Sequence, residues 1–410
     1  MGKNNYFNVI DFGSSKIRFA SFDNNFDEKF SESIKVYTNE NLQSHFEAIN
    51  KIIKKAEKKF SDHIEDIVLI LDTAQLFTID ISLTKNLDRS SKINKLYEPL
   101  ILELDQIIKL HYDKYYLSHI IMDKCIIDDE KIFEEFPKDK IVDNNLKVDF
   151  KLICFPKLFI KKIKDNFIKF NLNIINIFCS SYIKSQSYVK KISEKKTTFL
   201  DVGLRRSSIF FFENKKIKLI ETIPIGGNHI TADISKIFKI SEMEAEKLKK
   251  SFNKTDTEFS YKNNTSEDRL ITQEIINKNI SLDLLKKVIL YRVQEIIDLT
   301  FKKLKVSSHK TIIEDAELFL IGEGSKLFNN NSFYLNDRFA FKSINFYSDT
   351  DVQICKCGLE NKISNYELPK IINKKQGIFE KFFNFFDKWL YFLVIFLEYL
   401  INTSFYINSM

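Results

Sequence analysis

The chain contains little glycine, proline, cysteine or tryptophan: 9, 5, 5 and 1 among 410 residues. The cysteines are scattered and odd in number, so they predict no disulfide framework and favour a reducing cytoplasm. Cys355 and Cys357 form a Cys-x-Cys pair, but no second Cys or His pair accompanies them, so we expect ordinary reduced thiols. The segment Met1–Asn8 is polar and lacks the apolar core of a signal peptide, which also predicts a cytoplasmic chain.

Positive charge is not concentrated in one place. The net charge is +7, but the lysines are scattered among aspartates and glutamates. A nucleic-acid binder would more often gather arginine and aromatic residues on one face, so we predict no nucleic-acid partner. Hydrophobic residues make up 44% and charged residues 29%, a globular balance without the composition of disorder. The length predicts two or more packed subdomains.

Apolar periodicity predicts a first unit that opens with a hairpin. Tyr6–Asp11 is predicted as a buried strand and Ile17–Phe22 as its partner. An amphipathic helix at Asn41–Phe60 and a buried strand at Ile67–Leu71 follow. These elements predict an open sheet covered by helices.

A charged stretch, Ser82–Asn145, interrupts this unit and is predicted to be an inserted subdomain. Within it we expect a helix at Tyr97–Leu110 and a strand at Leu117–Met122. The clean alternation from Leu146 to Cys154 predicts a strand that leads back to the first core. Pro156 then starts a further helix.

A second unit begins near Lys195 and opens like the first. Thr198–Val202 is predicted as a strand, followed by the hairpin strands Ile209–Glu213 and Ile217–Ile223. A helix beginning at Asp233, a long helix at Leu282–Leu304 and a buried strand at Ala316–Ile321 complete it. Both units open with strand–turn–strand around Asp-x-Gly, which suggests an internal duplication.

The first such turn is suited to phosphate. Gly13 permits a tight turn, the backbone and hydroxyls of Ser14 and Ser15 can hold phosphate oxygens, and Lys16 supplies a positive charge. Asp11, at the end of its strand, could hold a hydrated Mg²⁺. A plain β-turn is the alternative for this motif alone.

The second unit carries further candidate residues. Asp201 and Gly203 repeat the Asp-x-Gly arrangement, and Gly226 and Gly227 form a phosphate-facing turn before a helix. Two further features follow along the chain. One is a charged helical face, and the other is a glycine turn where a nucleotide base or ribose could lie against bare backbone. Their residues are Glu246 and Lys249 on the helix, and Gly322, Gly324 and Ser325 in the turn.

In this order and spacing, the motifs resemble the actin/Hsp70/sugar-kinase superfamily, and most closely the FtsA family of bacterial cell-division proteins. The matching segments are Asp11–Lys16, Asp201–Ser208 in part, Gly226–Ile234, Ala245–Lys249, Arg292–Ile296 and Gly322–Leu327. The resemblance implies an α/β, actin-like fold with two duplicated ribonuclease-H-like units flanking a nucleotide cleft. It also implies ATP and Mg²⁺ as cofactors, with Asp11 and Asp201 near the metal.

The resemblance implies a set of domain boundaries. An inserted subdomain of the FtsA type and a C-terminal amphipathic helix belong to that arrangement. The expected parts are 1–81 and 146–192 (subdomain 1A), 82–145 (1C), 193–250 and 305–362 (2A), 251–304 (2B), 363–376 (linker) and 377–410 (membrane-targeting tail).

Some segments depart from the family pattern. Leu204–Ser208 places bulky residues where the second phosphate loop is normally rich in glycine, and Glu323 stands where glycine is usual. Either Arg205 or Arg206 contacts phosphate, or these side chains obstruct it. Ile174–Val189 holds no acidic residue to position water, so we expect weak or absent ATPase activity.

The family also implies partners. The C-terminal tail of FtsZ is expected to bind around Arg292 and Glu295. The inserted subdomain is expected to support self-association into filaments or oligomers and to recruit late division proteins. The alternatives are a PilM-like pilus-assembly adaptor, or another ATPase or sugar kinase of the superfamily.

The tail is predicted to lie in a membrane interface. Apolar residues over Gly377–Ile401 fall on one helical face. They are Phe379, Phe382, Phe383, Phe386, Trp389, Leu390, Leu393 and Leu397. The alternatives are packing on the protein's own core and a spanning helix, which would bring five charged residues into or near hydrocarbon. The expected location is the cytoplasmic face of the inner membrane at the division septum.

Overall fold

Among the described residues, two five-stranded sheets of the same topology form the centre of the molecule. The computed structural model describes residues 6–36, 42–252, 280–306, 315–328 and 341–364. All of them belong to one unit, which comprises residues 1–365. None of its described helices is both long and apolar enough to cross a membrane.

The first sheet has the order β11-β4-β1-β2-β3. Its strands are β1 (Phe7–Phe12), β2 (Lys16–Phe22), β3 (Glu28–Lys35), β4 (Asp66–Leu71) and β11 (Asn173–Cys179). Strands β1, β2 and β3 are antiparallel neighbours, whereas β4 and β11 extend the sheet in parallel. The helices associated with its core are α1 (Leu42–Phe60), α3 (Lys157–Ile168) and α4 (Ser180–Val189).

The second sheet repeats this arrangement in the order β14-β13-β12-β15-β16. Its strands are β12 (Lys196–Val202), β13 (Ser207–Glu213), β14 (Lys216–Ile223), β15 (Glu317–Ile321) and β16 (Ser343–Phe346). Its core also includes α5 (Gly227–Phe238), α6 (Glu242–Phe252) and α7 (Leu282–Val306). Strand β12 pairs antiparallel with β13 and parallel with β15, as β1 does with β2 and β4. The predicted duplication and the actin-like fold are confirmed.

A separate four-stranded sheet lies between the two halves in sequence. Its order is β5-β10-β7-β8, with β5 (Phe77–Asn86), β7 (Tyr115–Ile127), β8 (Lys131–Phe133) and β10 (Asn145–Pro156). The adjoining elements are β6 (Ser91–Lys92), α2 (Ile93–His111) and β9 (Ile141–Val142).

Strand β10 corrects one expectation. The alternation from Leu146 to Cys154 predicted a strand that leads back to the first core, and residues 146–192 were assigned to subdomain 1A, but β10 pairs along its length with β5 and β7. Only its end, at Ile153 and Phe155, packs into the first core. Alternation specifies that one face is buried but does not specify the sheet.

The last described helix, α8 (Asp351–Ser364), corrects another expectation. The sequence assigned residues 305–362 to the second unit, yet α8 packs on β1, β2 and β4 of the first. A Cβ on Gly358 would lie 2.9 Å from an Ile70 side-chain carbon and 3.0 Å from one of Val9. Helix α8 therefore approaches the sheet closely, and Cys355 and Cys357 are free thiols buried in that core.

Candidate functional site

The two predicted metal-binding aspartates occupy equivalent places at the ends of central strands. Asp11 lies near the end of β1 and Asp201 near the end of β12. They are only 4% and 3% exposed. The duplicated topology explains this, since β1 and β12 hold the same position in their sheets.

Asp11 forms an ion pair with an arginine of its own hairpin. Arg18 lies opposite Asp11 in the β1–β2 register, and its Nη1 donates to Asp11 Oδ2 at 2.6 Å. Ser180 Oγ, at the start of α4, donates to Asp11 Oδ1 at 3.3 Å. Both carboxylate oxygens are therefore engaged by donors of this chain.

Asp201 contacts two cations. Lys184 Nζ on α4 donates to Asp201 Oδ2 at 3.2 Å, and Arg206 Nη2 donates to the same oxygen at 3.4 Å. Arg206 Nη2 also donates to Ser181 Oγ at 3.1 Å and forms an ion pair with Asp72. Arg206 thus pairs with two carboxylates of the chain, those of Asp72 and Asp201.

Asp351, the first residue of α8, binds side chains of strands β2 and β3. It accepts from Lys16 Nζ at 2.5 Å, Arg18 Nε at 2.6 Å and Ser33 Oγ at 2.8 Å. Burial pushes the pKa of Asp351 upward, but the hydrogen bonds from Lys16, Arg18 and Ser33 outweigh it and hold that pKa at about 2. Lys16 is therefore engaged by a carboxylate from the far end of the described chain.

The Gly13 turn leaves little room on its inner side. A Cβ at Gly13 would lie 2.5 Å from the carbonyl oxygen of Lys16. Ser14 follows in the turn, and the carbonyl of Ser15 accepts from the Val36 amide at 2.9 Å. Glycine is required here for the hairpin to close.

The turn at Gly226 packs against the loop that follows β12. The Gly227 amide donates to the Gly203 carbonyl at 2.9 Å. A Cβ at Gly226 would lie 2.4 Å from that oxygen and 2.8 Å from the Arg206 amide nitrogen. Gly226 is the N-cap of α5 and Gly227 its first residue, so the predicted turn before a helix is present.

Lys249 and Glu246 lie beneath this turn. Lys249 Nζ donates to the Gly227 carbonyl at 2.9 Å and to Thr231 Oγ1 at 2.8 Å. Glu246 Oε2 is 2.5 Å from the same Nζ and accepts from Thr231 Oγ1 at 2.5 Å. Burial lowers the pKa of Lys249, although Glu246 opposes this shift. The structure brings these predicted residues together as a support for the turn.

The third predicted turn approaches Asp201 from β15. Gly322 has a positive φ of 85°, and a Cβ there would lie 2.3 Å from Asp201 Oδ1. A Cβ at Gly324 would lie 2.8 Å from the Val202 carbonyl oxygen. Ser325 Oγ donates to the Gly322 carbonyl at 2.6 Å. These glycines let the turn after β15 lie against the end of β12.

Arg292 and Glu295 lie away from this cluster, on α7. Arg292 Nε donates to Asp233 Oδ2 on α5 at 2.6 Å, and its Nη1 donates to Glu295 Oε2 at 2.5 Å. Arg292 therefore joins α7 to α5. The expected role of this pair in partner binding stays a prediction.

Cations of the chain occupy the contacts that Mg²⁺ would need. Mg²⁺ requires near-octahedral oxygen ligands and retains several waters. Asp11 and Asp201 are buried, and their oxygens contact Arg18, Lys184 and Arg206. In the part of the chain that the structure describes, no group of three or more His, Cys, Asp or Glu residues could hold a metal. The donor set does not fit the hydrated magnesium that the resemblance implied.

Sequence reasoning missed several residues of this cluster. They are Arg18, Asp72, Ser180, Ser181, Lys184 and Asp351. One signal was available, because Asp72 directly follows the buried strand β4 and so resembles Asp11 and Asp201. Ile174–Val189 holds no acidic residue, and the one charged side chain that it contributes to the cluster is the cation Lys184.

Three predicted features lie wholly or largely outside the described residues, and the linker at 363–376 is described only to residue 364 and stays a prediction. The other two are longer segments. They are the membrane-targeting tail at 377–410, with all its apolar residues, and most of the loop before α7. Both stay predictions.

Comparison with known proteins supports the FtsA resemblance. The family model "Cell division protein FtsA" matches residues 198–343. The cell division protein FtsA of Bacillus subtilis (strain 168) is 24% identical over 211 residues, which cover 50% of this chain and 46% of that protein. The match thus spans about half the length of this curated relative.

One solved structure with a TM-score above 0.5 supports the fold. A chain of the PilM-PilN type IV pilus biogenesis complex aligns with a TM-score of 0.53 and 12% identity, over 88% of this chain and 97% of that one. MreB5 of Spiroplasma citri bound to AMPPNP aligns with a TM-score of 0.46 and 12% identity, over 89% and 98%. The chain is therefore similar to the cell division protein FtsA over residues 198–343, and its fold is actin-like.

Proposed function

We propose that this chain is a cell-division scaffold that binds adenine nucleotide, anchors FtsZ filaments to the cytoplasmic membrane and helps to recruit later division proteins at the septum. The observation that carries this proposal is the FtsA family match over 198–343. That segment includes the turn formed by Gly226 and Gly227, and Lys249, whose Nζ binds the Gly227 carbonyl at 2.9 Å.

The proposed nucleotide site lies at the ends of the central strands. Backbone amides of the Ser14–Ser15 turn would face phosphate. The Gly226–Gly227 turn would lie beside it, with its own amides bonded to His229 Nδ1 and the Gly203 carbonyl. The Gly322–Ser325 turn would face the adenosine. We expect slow or absent turnover, because the α4 segment offers Lys184 rather than an acid near Asp201.

Nucleotide binding is tested by isothermal titration of the full chain with ATP. The Gly13→Val variant should lose binding, because its Cβ would meet the Lys16 carbonyl and change the turn. Unfolding temperatures of both proteins establish whether the variant is folded. Absence of heat at millimolar ATP would refute the nucleotide part of the proposal. Turnover above about 1 s⁻¹ would refute slow hydrolysis.

We propose α7 as the face for the FtsZ tail. Arg292 is committed to Asp233 within the chain, so exposed neighbours offer the better contacts. Tyr291 is 68% exposed and Leu284 is 42% exposed. A short peptide that docks on a helix face is held by such apolar anchors, with charges such as that of Glu295 at the rim.

The matched test compares Tyr291→Ala with Arg292→Ala for binding of an FtsZ tail peptide, measured by fluorescence anisotropy. Tyr291→Ala should weaken binding by about tenfold or more while the unfolding temperature stays unchanged. Arg292→Ala, in contrast, should lower the unfolding temperature, because Asp233 loses its partner. Unchanged peptide affinity in Tyr291→Ala would move the site elsewhere.

Membrane tethering is tested with the full chain, FtsZ and lipid vesicles. We expect FtsZ to sediment with vesicles only when this chain is present. The Phe383→Glu/Phe386→Glu variant should leave the vesicles and release FtsZ with it, because glutamates oppose burial in the acyl boundary. Sedimentation of the variant after a carbonate wash would indicate a spanning tail.

A second candidate function is a pilus-assembly adaptor of the PilM type. The fold alignment that covers 97% of a chain of the PilM-PilN complex favours it. An adaptor of this type would not recruit FtsZ to vesicles. The vesicle experiment therefore separates the two candidates.

A further inference from the structure

Carboxylates and cations alternate at the centre of the molecule. The carboxylates come from the ends of strands: Asp11 from β1, Asp72 from the residue after β4 and Asp201 from β12. The cations come from β2, α4 and the loop before β13. They are Arg18, Lys184 and Arg206.

Five of these six charged groups are buried to an unusual degree, and the side chain of Asp72 is 17% exposed. Arg18, Lys184 and Arg206 are 8%, 8% and 6% exposed, and Asp11 and Asp201 are still less exposed. Charged side chains are rarely buried this deeply unless they are paired. Every one of these cations has a carboxylate partner here, so the cluster is internally neutralised.

The network joins the two duplicated halves. Arg206 follows β12 of the second half, and its Nη2 contacts Asp72 and Ser181 of the first. Lys184 lies on α4 of the first half and reaches Asp201 of the second at 3.2 Å. The ion pairs therefore connect the two halves directly.

A divalent metal would compete with these cations for the same oxygens. Lys184 and Arg206 share Asp201 Oδ2, and Arg206 and Ser181 also engage Asp72. A metal bound between Asp11 and Asp201 would leave a buried guanidinium without its carboxylate partner, and a guanidinium cannot lose its proton. Leaving one buried charge unpaired is strongly unfavourable.

We propose that Lys184 and Arg206 take the place of a divalent metal in this cleft and hold the two halves together without one. The contact of Lys184 and Arg206 between the two halves does not depend on the proposed nucleotide function. One consequence does rest on it: nucleotide that enters this cleft binds equally well with and without magnesium, because the positive charge beside the phosphates belongs to the chain.

The first experiment measures metal binding by the full chain. Mn²⁺ replaces Mg²⁺ as a paramagnetic probe, and its free fraction is followed by electron paramagnetic resonance. We expect no specific Mn²⁺ site in the wild-type protein. We also expect equal unfolding temperatures in EDTA and in millimolar MgCl₂, since a ligand that binds only the native state would raise that temperature. A stoichiometric Mn²⁺ site removed by Asp201→Asn would overturn the proposal.

The second experiment removes the cation and compares neighbouring arginines. Arg206→Ser should unfold at a lower temperature in EDTA, because Asp72 and Asp201 lose their shared partner, and Mg²⁺ should restore part of the loss. Arg205→Ser is the matched control, since Arg205 is exposed in the same loop, and it should lower the unfolding temperature far less than Arg206→Ser does. An Arg206→Ser protein as stable as the wild type in EDTA would contradict the proposal.

Two further measurements distinguish the possible outcomes. If Arg206→Ser does not fold, Lys184→Met tests the same prediction, with Lys191→Met as its exposed control. ATP titrations in EDTA and in MgCl₂ should give affinities within about threefold of each other, whereas a tenfold preference for magnesium would contradict the inference. If ATP binds under neither condition, the nucleotide part of the proposed function fails, while the Mn²⁺ and unfolding measurements still decide the role of the cations.

Discussion

The ammonium of Lys249 lies 2.9 Å from the carbonyl oxygen of Gly227, a residue in the turn that begins helix α5. Lys249 is only 6% exposed, and Glu246 is its carboxylate partner at 2.5 Å. A side chain of α6 thus fixes the start of the preceding helix. The turn in question is the one that packs against the loop carrying Arg206.

Removing this ammonium should destabilise the protein. In Lys249→Met, Glu246 loses its buried partner and the Gly227 carbonyl loses a donor. We expect a loss of about 2–4 kcal/mol in the free energy of unfolding, measured by urea denaturation. Lys250→Met is the control, because Lys250 pairs with the same Glu246 but is 67% exposed, and it should change stability by less than about 0.5 kcal/mol. Equal effects of the two substitutions would contradict this role.

The adjacent glycines 226 and 227 should respond differently to the same substitution. In Gly226→Ala the new Cβ would lie 2.4 Å from the Gly203 carbonyl oxygen, so we expect a loss of about 1–3 kcal/mol in thermal or urea denaturation. In Gly227→Ala its nearest neighbour would be Lys249 Nζ at 3.5 Å, an ordinary contact, and the helix gains alanine. That variant should be neutral or more stable by up to about 1 kcal/mol. A larger loss in Gly227→Ala than in Gly226→Ala would show that the turn packs otherwise.

Asp351 should stabilise the docking of α8 on the first sheet. Its pKa of about 2 lies below the usual 3.8, so its contribution is present above about pH 3.8 and is lost as the pH falls toward 2. At neutral pH, Asp351→Asn should cost about 1–2 kcal/mol, a value reduced because the side chain is 32% exposed.

A matched acid is available at the start of another helix. Asp283 opens α7 and pairs with Lys287 at 2.8 Å, but its side chain is 75% exposed. Asp283→Asn should leave the denaturation midpoint nearly unchanged. If Asp351→Asn behaves the same way at pH 7, its hydrogen bonds to Lys16, Arg18 and Ser33 contribute nothing measurable.

His119 should make stability depend on pH in the mildly acidic range. Its Nε2 accepts from the Cys179 amide at 2.9 Å, and burial lowers the pKa of this imidazole to about 3. The unfolded chain takes up the proton near pH 6.5 while the folded chain does not, so stability falls as the pH drops from about 6.5. One pH unit corresponds to at most about 1.4 kcal/mol.

The substitution His119→Gln keeps an acceptor for the Cys179 amide and removes the titration. The unfolding temperature should therefore fall less steeply between about pH 7 and pH 5 than in the wild-type protein. The exposed His111 supplies the control, and His111→Gln should retain the wild-type slope. Parallel slopes in His119→Gln and the wild type would refute the assignment.

Local pattern was enough to predict much of the scaffold. The strands β1, β2 and β4 and helix α1 follow from apolar period and turn residues, because these depend on neighbours in sequence. The Gly226–Lys249 cluster was also accessible, since one helical hairpin brings those residues together. The alternation from Leu146 to Cys154 predicted a strand but did not specify which sheet β10 would join.

Tertiary structure was needed for the charge network. Asp351 meets Lys16 across 335 positions of sequence, and Arg206 meets Asp72 where α4 packs against strands of both sheets. A charged residue type does not identify its partner, since almost any lysine or aspartate can be solvated at a surface. Motif order alone therefore predicted that Asp11 and Asp201 bind a metal. In the folded chain these buried carboxylates instead form ion pairs with Arg18, Lys184 and Arg206.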